Sequence, residues 1–224
     1  MEHSDIPESL LERLRDGFDR IALVLRSDLW SAASAAGLNA AQAQVLGLLA
    51  NRPFGLRPKE IAAHLAVTPA SIADTVSALK RKGLVKRESD PVDARAAIVT
   101  ATPNGLRLGV DIATSESKLA DAIAGLSPTM QEELLLTQIA LIRQLQNAGA
   151  IPLQRMCVSC RHFRPHAHPD RAKPHHCAFV DAAIDGRELR LDCSEHEAAA
   201  PDVQAATWTS FAKGSPSPQA QPSN

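Results

Sequence analysis

The chain contains no tyrosine, and aromatic residues make up only 3% of its 224 positions. Its hydrophobic fraction of 45% comes instead mainly from alanine, leucine, isoleucine and valine. Because alanine and leucine lose little conformational freedom on entering a helix, this composition favours a largely helical fold. A chain of this length accommodates one sizeable domain together with a small one.

An excess of one charge is also missing, since the formal net charge is −1. This balance argues against a uniformly basic nucleic-acid-binding protein, although an average can hide a local basic patch. No apolar run reaches the length that spans a bilayer, and the opening MEHSDIPESLLERL has neither a basic leader nor an apolar signal-peptide core. We therefore expect a cytoplasmic protein without a membrane partner.

Cysteine is absent from the first 150 residues, whereas four cysteines and six of the eight histidines lie in the last third of the chain. In the cytoplasm, clustered cysteines bind metals or serve redox chemistry more often than they form disulfides. The C-terminal third is therefore a candidate for a chemically distinct segment.

Apolar periodicity predicts several helices. Residues 8–36 carry one apolar stripe that runs from Leu10 to Leu29, and a shorter helix follows over 40–50. One further helix is predicted over 103–125. Another is predicted from Ser127 onward, with an inward or interfacial stripe formed by Met130, Leu134, Ile139, Ile142 and Leu145.

Residues 57–88 have the outline of a helix-turn-helix. Pro58 suits the first position of a short helix, and Thr68 followed by Pro69 is a strong start for a second one. Gly83 is placed to end that second helix. Strand-like stretches at 84–87 and 97–100 flank a polar loop, which predicts a β-hairpin. The hairpin directly follows the second helix of the motif, the recognition helix, and so has the position of a wing.

These motifs resemble the MarR family of bacterial winged-helix transcriptional regulators. The resemblance lies in K-G-L-V at 82–85, D-x-R at 93–95 and T-P-x-G at 102–105, and the flanking helices extend it over about residues 5–149. It implies a mainly helical winged-helix fold and a homodimer whose N- and C-terminal helices interlock. We therefore expect a non-enzymatic regulator, a repressor, that binds double-stranded operator DNA. A small-molecule or redox effector is a candidate further partner.

A local excess of positive charge supports the DNA-binding expectation. Residues 80–95 contain six basic side chains against three acidic ones, as phosphate anchoring requires. Arg95 at the wing tip suits a narrow minor groove, with Asp93 orienting it or the wing. Members of the family often carry arginine where this chain has Asp74 and Ala78. We therefore expect few direct side-chain contacts with base edges. The candidate DNA-binding residues are Thr68, Ala70, Ser71, Asp74, Lys80, Lys82, Arg87, Asp93 and Arg95.

The cysteines have the spacing of a metal site, with a C-x2-C knuckle followed by two single cysteines. Cys157, Cys160, Cys177 and Cys193 supply four soft ligands, and His176 and His196 are possible alternates. Four thiolates suit tetrahedral Zn²⁺, which ligand chemistry favours, or an iron–sulfur cluster, although the spacing matches no standard iron–sulfur motif. The metal is expected either to stabilise the segment or to act as a sensor.

The organisation predicted from the sequence has three parts: a winged-helix and dimerisation domain over 1–152, a metal-binding module over 153–198 and a disordered tail over 199–224. Two other classes of function remain open. A cysteine-ligated metalloenzyme would need an open coordination position, which four protein ligands do not leave. A protein-interaction module would use the winged helix to bind protein and would associate independently of salt.

Overall fold

The structure is a computed structural model that describes residues 9–90, 93 and 95–214. The chain divides into two compact units. One contains the residues up to Ile61 together with Thr68–Leu126, and the other contains Ala62–Val67 together with the residues from Ser127 onward. In the described part of the chain, no helix combines the length and the hydropathy that a membrane crossing requires.

The winged-helix part is built mainly from helices. In chain order these are α1 (Leu10–Ala35), α2 (Ala40–Ala50), α3 (Pro58–His64), α4 (Pro69–Arg81), α5 (Pro103–Ala113) and α6 (Lys118–Ala124). The hairpin strands β1 (Val85–Ser89) and β2 (Ala97–Ala101) lie between α4 and α5. A mainly helical fold with a small antiparallel hairpin is therefore confirmed.

Side-chain caps set the starts of the helices. Ser9 and Glu12 form a capping box at α1, in which Glu12 Oε2 accepts from the Ser9 N–H at 2.7 Å. Thr68 Oγ1 accepts from the Ser71 N–H at 3.2 Å and caps α4, as the Thr-Pro pair predicts. Each of these caps satisfies a backbone N–H that the first helical turn leaves without a partner.

The wing is an antiparallel ladder in which Val85 faces Ala101 and Ser89 faces Ala97. Outside this ladder, Leu56 forms an isolated β-bridge with Val99, with N···O distances of 2.9 and 3.0 Å. Gly55 precedes that bridge with φ +71°, and a Cβ there would stand 2.4 Å from the Val99 carbonyl oxygen. Only glycine allows both this backbone conformation and this close approach.

The end of α4 and the start of α5 meet backbone to backbone. Thr102 Oγ1 donates to the Gly83 carbonyl at 2.8 Å, and the Thr102 N–H donates to the Leu84 carbonyl at 3.0 Å. Thr102 Oγ1 also accepts from the Gly105 N–H and caps α5. A Cβ at Gly105 would stand 1.9 Å from the Leu84 carbonyl oxygen, so glycine is required there. This junction joins two of the three motifs in the family resemblance.

The core of this unit centres on α2, where Val45, Leu46 and Leu49 are fully buried. Leu79 of α4 and Val99 of β2 are fully buried as well. Gly109 allows α5 to lie close to α2, since its Cβ would stand 3.0 Å from the Leu46 carbonyl oxygen. The packed α2 therefore supports both the recognition helix and the wing.

The prediction of one continuous helix over 103–125 is wrong, because the helix is interrupted between α5 and α6. Thr114 ends α5, and Ser117 caps α6 by accepting from the Ala120 N–H at 3.2 Å. The Ser117 hydroxyl also contacts Asp28 Oδ2 of α1 at 2.9 Å. This polar contact competes with helix continuation at Ser117.

The second unit combines α7 (Pro128–Asn147) with the cysteine-rich segment. That segment forms an antiparallel sheet, ordered β3 (Phe163–Arg164), β4 (His175–Cys177) and β5 (Ala182–Ile184). Its core contains Ile139, Met156, Val158, Phe163 and Leu189. Because Ile139 of α7 is covered within this core, part of the predicted interfacial stripe packs inside one chain. The predicted boundary at residue 152 and the independence of a 153–198 module stay predictions.

The prediction of a disordered tail over 199–224 is wrong for residues 201–213. Residues Pro201–Lys213 form α8, which starts with Pro201 and ends at Gly214 with φ +68°. Trp208 and Phe211 of this helix pack against the core of the second unit, and the Arg143 guanidinium lies 5.1 Å from the Trp208 ring centroid. Burial of these aromatic rings offsets the entropic cost of ordering the segment. Residues 215–224 lie outside the described part.

We expect Gly105→Ala to lower the free energy of unfolding by about 1–3 kcal/mol, since the added methyl group overlaps the Leu84 carbonyl. Gly47→Ala, inside α2 with nothing within 4 Å of its Cβ, is the matched control. It should be neutral or stabilising by less than about 1 kcal/mol. Urea denaturation followed by circular dichroism measures both variants, and equal stability of the two would contradict the junction.

Candidate nucleic-acid interface and four-cysteine site

The recognition helix α4 has one buried face and one exposed face. Ile72, Val76 and Leu79 are buried, whereas Ala70, Ser71 and Asp74 are exposed. The Thr68 hydroxyl caps the helix and lies 2.9 Å from Ser71 Oγ, so these two polar groups hold each other at the start of the helix. The exposed face thus presents small and acidic side chains to a partner.

Four of the predicted cationic positions differ in what their side chains contact. Lys80, Arg87 and Arg95 have exposed side chains. Lys82 Nζ instead donates to the Gly37 carbonyl at 2.8 Å and to Gln42 Oε1 at 3.1 Å, which ties the end of α4 to the corner between α1 and α2. The Lys82 ammonium therefore has a structural role, and its predicted phosphate contact competes with these bonds.

The described residues of the wing loop are organised by carboxylates. Asp93 Oδ1 accepts from the Arg95 N–H at 3.1 Å, and the Asp93 carbonyl accepts from the Ala96 N–H at 2.8 Å. Asp90 Oδ1 in turn accepts from the Asp93 N–H at 3.4 Å. The Asp93 carboxylate thus holds the backbone of Arg95, and the Asp90 carboxylate holds the backbone of Asp93. Residues 91, 92 and 94 lie outside the described part.

Sequence reasoning missed the residue that anchors this loop. Arg57, just before α3, donates from Nε to Asp90 Oδ2 at 2.6 Å, and the Asp90 side chain is only 4% exposed. This hydrogen bond is the main reason that the pKa of Arg57 is raised above its usual value. The two residues are 33 positions apart, so no local pattern announces the pair. In the sequence, Arg57 is only the first residue of the helix-turn-helix motif, and Asp90 is only one of the three acidic residues in 80–95.

The second site is a cavity of about 680 Å³ in the cysteine-rich segment, and all four cysteines line it. Cys157 and Cys160 flank a 3₁₀ turn in which the Cys160 N–H donates to the Cys157 carbonyl at 2.9 Å. Cys177 ends β4, opposite Phe163 of β3. Cys193 is held by its N–H, which donates to the Arg155 carbonyl at 3.0 Å. Four separate points of the chain thus each contribute a cysteine to the wall of the cavity, and none of these four cysteines forms a disulfide.

Arg190 interacts with two of these sulfurs. Its backbone N–H donates to Cys157 Sγ at 3.3 Å, and its Nη1 lies 3.8 Å from Cys193 Sγ. The pKa of the Cys157 thiol is raised to about 11, chiefly by burial and in smaller part by the other three cysteines, although the Arg190 N–H lowers it. The raised pKa means that the Cys157 thiol keeps its proton at neutral pH in this state.

The predicted alternate ligands have other partners. His196 Nε2 lies 3.0 Å from Ser159 Oγ, and burial lowers the pKa of this histidine. His176 Nδ1 lies 3.2 Å from His168 Nε2. Among the described residues that line the cavity, the one histidine is His162. In the same described part, no group of three or more His, Cys, Asp or Glu side chains is arranged to hold one metal ion, and metal binding stays a prediction.

Residues 36–96 match a family model described as MarR family. Over these residues the chain is similar to the MarR family. The resemblance inferred from the motifs is thus confirmed, and the MarR-family domain includes α2, α3, α4 and β1.

Solved structures show the same fold. The chain is 24% identical to CouR from Rhodococcus jostii RHA1, a structure solved with p-coumaroyl-CoA, over 65% of this chain and 97% of that one, with a TM-score of 0.50. It is 22% identical to the MarR family transcription regulator SP03579, over 62% of this chain and 93% of that one, with a TM-score of 0.54. A comparison with curated proteins found no match.

We expect Arg57→Ala to loosen the wing, because the variant removes the guanidinium that holds Asp90. Amide hydrogen exchange over 85–89 and 97–101 should become several-fold faster. Lys86→Ala is the matched control, since Lys86 pairs with Glu88 at 2.9 Å in an exposed position, where such pairs contribute about 0–1 kcal/mol. Unchanged exchange in the Arg57 variant would show that the pair does not anchor the wing.

Proposed function

We propose that the protein is a transcriptional regulator, acting as a repressor, that binds double-stranded DNA as a homodimer. The observation that carries this proposal is the exposed face of α4 beside the exposed cations of the wing, within a MarR-family domain. The second helix of a helix-turn-helix enters the major groove, and its N-terminal residues contact base edges. In this arrangement α4 reads the major groove and the wing places Arg95 in the adjacent minor groove.

Exposed cations supply the affinity. Lys80, Arg87 and Arg95 are positioned to contact phosphates or the minor groove, although the whole chain carries a net charge of −1. Neutralised phosphates release counterions, so binding should weaken steeply as salt is raised. The acidic remainder of the chain disfavours other orientations on the duplex.

Specificity is shared between the bases and the shape of the duplex. Ser71 can donate to or accept from several base edges, Ala70 can contact a thymine methyl group, and Asp74 can accept from cytosine N4. None of these contacts is the bidentate arginine–guanine pair that dominates most major-groove readout. A minor-groove arginine at the wing therefore contributes sequence preference through groove width.

Helix α1 provides the face for the second copy. It spans 26 residues, of which Ala33 is the buried one among those described. Its exposed apolar side chains include Leu10, Leu11, Leu14, Phe18, Ile21, Leu23, Leu25 and Trp30. Six of these side chains, all except Leu23 and Trp30, fall on one side of the helix at its 3.6-residue period, and an exposed apolar face of this kind marks an interaction surface. We assign it to a second copy of the chain, because a two-fold dimer also supplies the second DNA lobe.

The cysteine-rich segment is proposed as the metal-binding part of this regulator. Four thiols line one cavity, and a bound cation would remove their mutual repulsion and hold the loops together. Zn²⁺ and iron–sulfur clusters both accept four thiolates. The bound metal either stabilises the second unit or makes DNA binding depend on a redox effector. A small-molecule effector such as an acyl-CoA ester, the type of ligand bound to CouR, is a further candidate.

We expect Arg95→Ala to weaken binding to duplex DNA by about 1–3 kcal/mol, since it removes the wing contact with the minor groove. Fluorescence anisotropy with a duplex selected by the parent protein from a random-sequence pool measures the change. Arg107→Ala, which removes an exposed arginine from α5, is the charge-matched control and should bind like the parent. Equal affinity of the Arg95 variant and the parent would contradict the wing assignment.

We expect Leu14→Glu combined with Phe18→Glu to convert the dimer into a monomer, because the charges replace two exposed apolar side chains of α1. Sedimentation equilibrium measures the mass of the full chain. Arg13→Glu with Arg20→Glu introduces the same number of carboxylates on the same helix and should leave the dimer intact. A parent that is already monomeric would refute dimerisation through α1.

A further inference from the structure

The second unit contains a further cleft, to which neither the DNA-binding nor the metal-binding proposal assigns a role. Its wall is formed by helix α7, the β3–β4 loop with the start of β4, residues 185–187 and helix α8, and we call it the α7–α8 cleft. None of the described residues that line it also lines the four-cysteine cavity. It also lies outside residues 36–96, which match the family model. The cleft is therefore a separate candidate for a binding site.

His175, the first residue of β4, has an unused hydrogen-bond donor at the α7–α8 cleft. The residue lines the cleft and is only 4% exposed. Its Nδ1 accepts from the His166 N–H at 3.2 Å, so the ring proton is on Nε2. Among the described residues, no group accepts a hydrogen bond from that Nε2. A polar group that is almost withdrawn from water costs free energy when it is unpaired, and an acceptor on a ligand would remove this cost.

Aromatic rings form the apolar part of the same wall. Trp208 and Phe211 of α8 line the cleft, and their ring centroids are 5.8 Å apart. The Phe211 ring also lies 5.5 Å from the His175 ring, measured between centroids. His166 Nε2 donates to the Phe211 carbonyl at 3.2 Å, which ties α8 to the β3–β4 loop. The rings are thus fixed relative to one another, as suits the binding of a flat aromatic group by stacking or edge contact.

The charges at the cleft favour an anion with a single negative charge. The charged residues that line it are three cations and two carboxylates: Arg171, Lys173, Arg187, Glu132 and Asp185. Lys173 lies 3.5 Å from Glu188, and Arg187 lies 3.4 Å from Asp185. Arg171 is exposed and forms no ion pair with any residue that the structure describes. Arginine binds a carboxylate through two parallel N–H···O bonds, and an excess of one cation suits a carboxylate better than a polyphosphate.

We propose that the α7–α8 cleft binds a flat aromatic carboxylate. The ring of the ligand lies against the aromatic side chains of α8, its carboxylate pairs with Arg171, and an acceptor atom of the ligand takes the hydrogen bond from His175 Nε2. The inference depends on neither DNA binding nor metal binding, because every residue that carries it lies in the second unit and outside the four-cysteine cavity.

Titration of the full-length protein with 2-naphthoate tests the proposal. Isothermal titration calorimetry measures the affinity. Labelling with ¹⁵N-tryptophan reports the position of the ligand, since the two tryptophans of the chain are Trp30 and Trp208, and the Trp30→Phe variant assigns their indole resonances. We expect 2-naphthoate to shift the Trp208 resonance and to leave that of Trp30 unchanged. Absence of binding, or a shift of Trp30 without Trp208, would overturn the proposal.

Two further compounds separate the contributions of the ring and the charge. The alcohol 2-naphthalenemethanol keeps the aromatic rings and lacks the carboxylate, whereas cyclohexanecarboxylate keeps the carboxylate and lacks an aromatic ring. Each should bind about fivefold more weakly than 2-naphthoate, or weaker still, because it loses one of the two kinds of contact. Equal affinity of the alcohol would overturn the preference for an anion, and equal affinity of cyclohexanecarboxylate would overturn the aromatic contact.

Arg171→Ala should weaken the binding of 2-naphthoate about three- to tenfold, because it removes the guanidinium that pairs with the carboxylate. The same variant should bind 2-naphthalenemethanol like the parent. Arg161→Ala removes another exposed arginine of the second unit, one that does not line the cleft, and is the matched control with parental affinity. Parental affinity for 2-naphthoate in the Arg171 variant would overturn the proposed ion pair.

His175→Asn tests the donor. Asparagine keeps an oxygen acceptor near the position of Nδ1 for the His166 N–H, and it lacks the donor at the position of Nε2. We expect this variant to bind 2-naphthoate about three- to tenfold more weakly. Because His175 is almost fully buried, circular dichroism establishes that the variant is folded, and the exposed Arg171 supplies the test if it is not. Parental affinity in the folded variant would remove His175 from the site.

Discussion

The winged-helix part of this molecule depends on one backbone junction between the end of α4 and the start of α5. The Gly83 and Leu84 carbonyls accept from the Thr102 side chain and backbone, and Gly105 lies so close to Leu84 that no side chain fits. Since α4 enters the junction and β1 leaves it, the junction fixes the recognition helix and the wing relative to each other. In the proposed function both elements contact one duplex, so this shared anchor is the constraint on which DNA binding would depend.

Some cationic side chains of this part of the chain are bonded within the fold, whereas others are exposed. Lys82 is hydrogen-bonded within the fold, Arg57 holds Asp90 and the wing, and Lys86 pairs with its neighbour Glu88. Other cations of the same region are exposed, among them Arg87 and Arg95. A count of basic residues therefore overstates the number that are free to contact a partner, and for Lys82 and Arg57 the difference lies in contacts with residues far apart in the chain.

The second unit orders itself around a small apolar core that α7, the cysteine-rich loops and α8 share. Short strands and loops of this kind bury little surface, so a cofactor held by the cysteines would add much of the missing folding free energy. A cofactor in this position would couple the stability of the unit to its own presence. Such coupling is a physical basis for sensing, because binding to the folded state alone shifts a folding equilibrium.

The sequence by itself determined the helix-turn-helix and the hairpin, because helix caps, glycine at turns and apolar periodicity are local properties of the chain. Its short motifs also carried the resemblance to the MarR family. It also identified the four cysteines as one set. Only the tertiary structure decided that Arg57 anchors the wing, that Ile139 is covered within the second unit and that Trp208 and Phe211 order a helix in a tail expected to be disordered. These outcomes depend on which distant side chains become neighbours, and a local pattern does not carry that information.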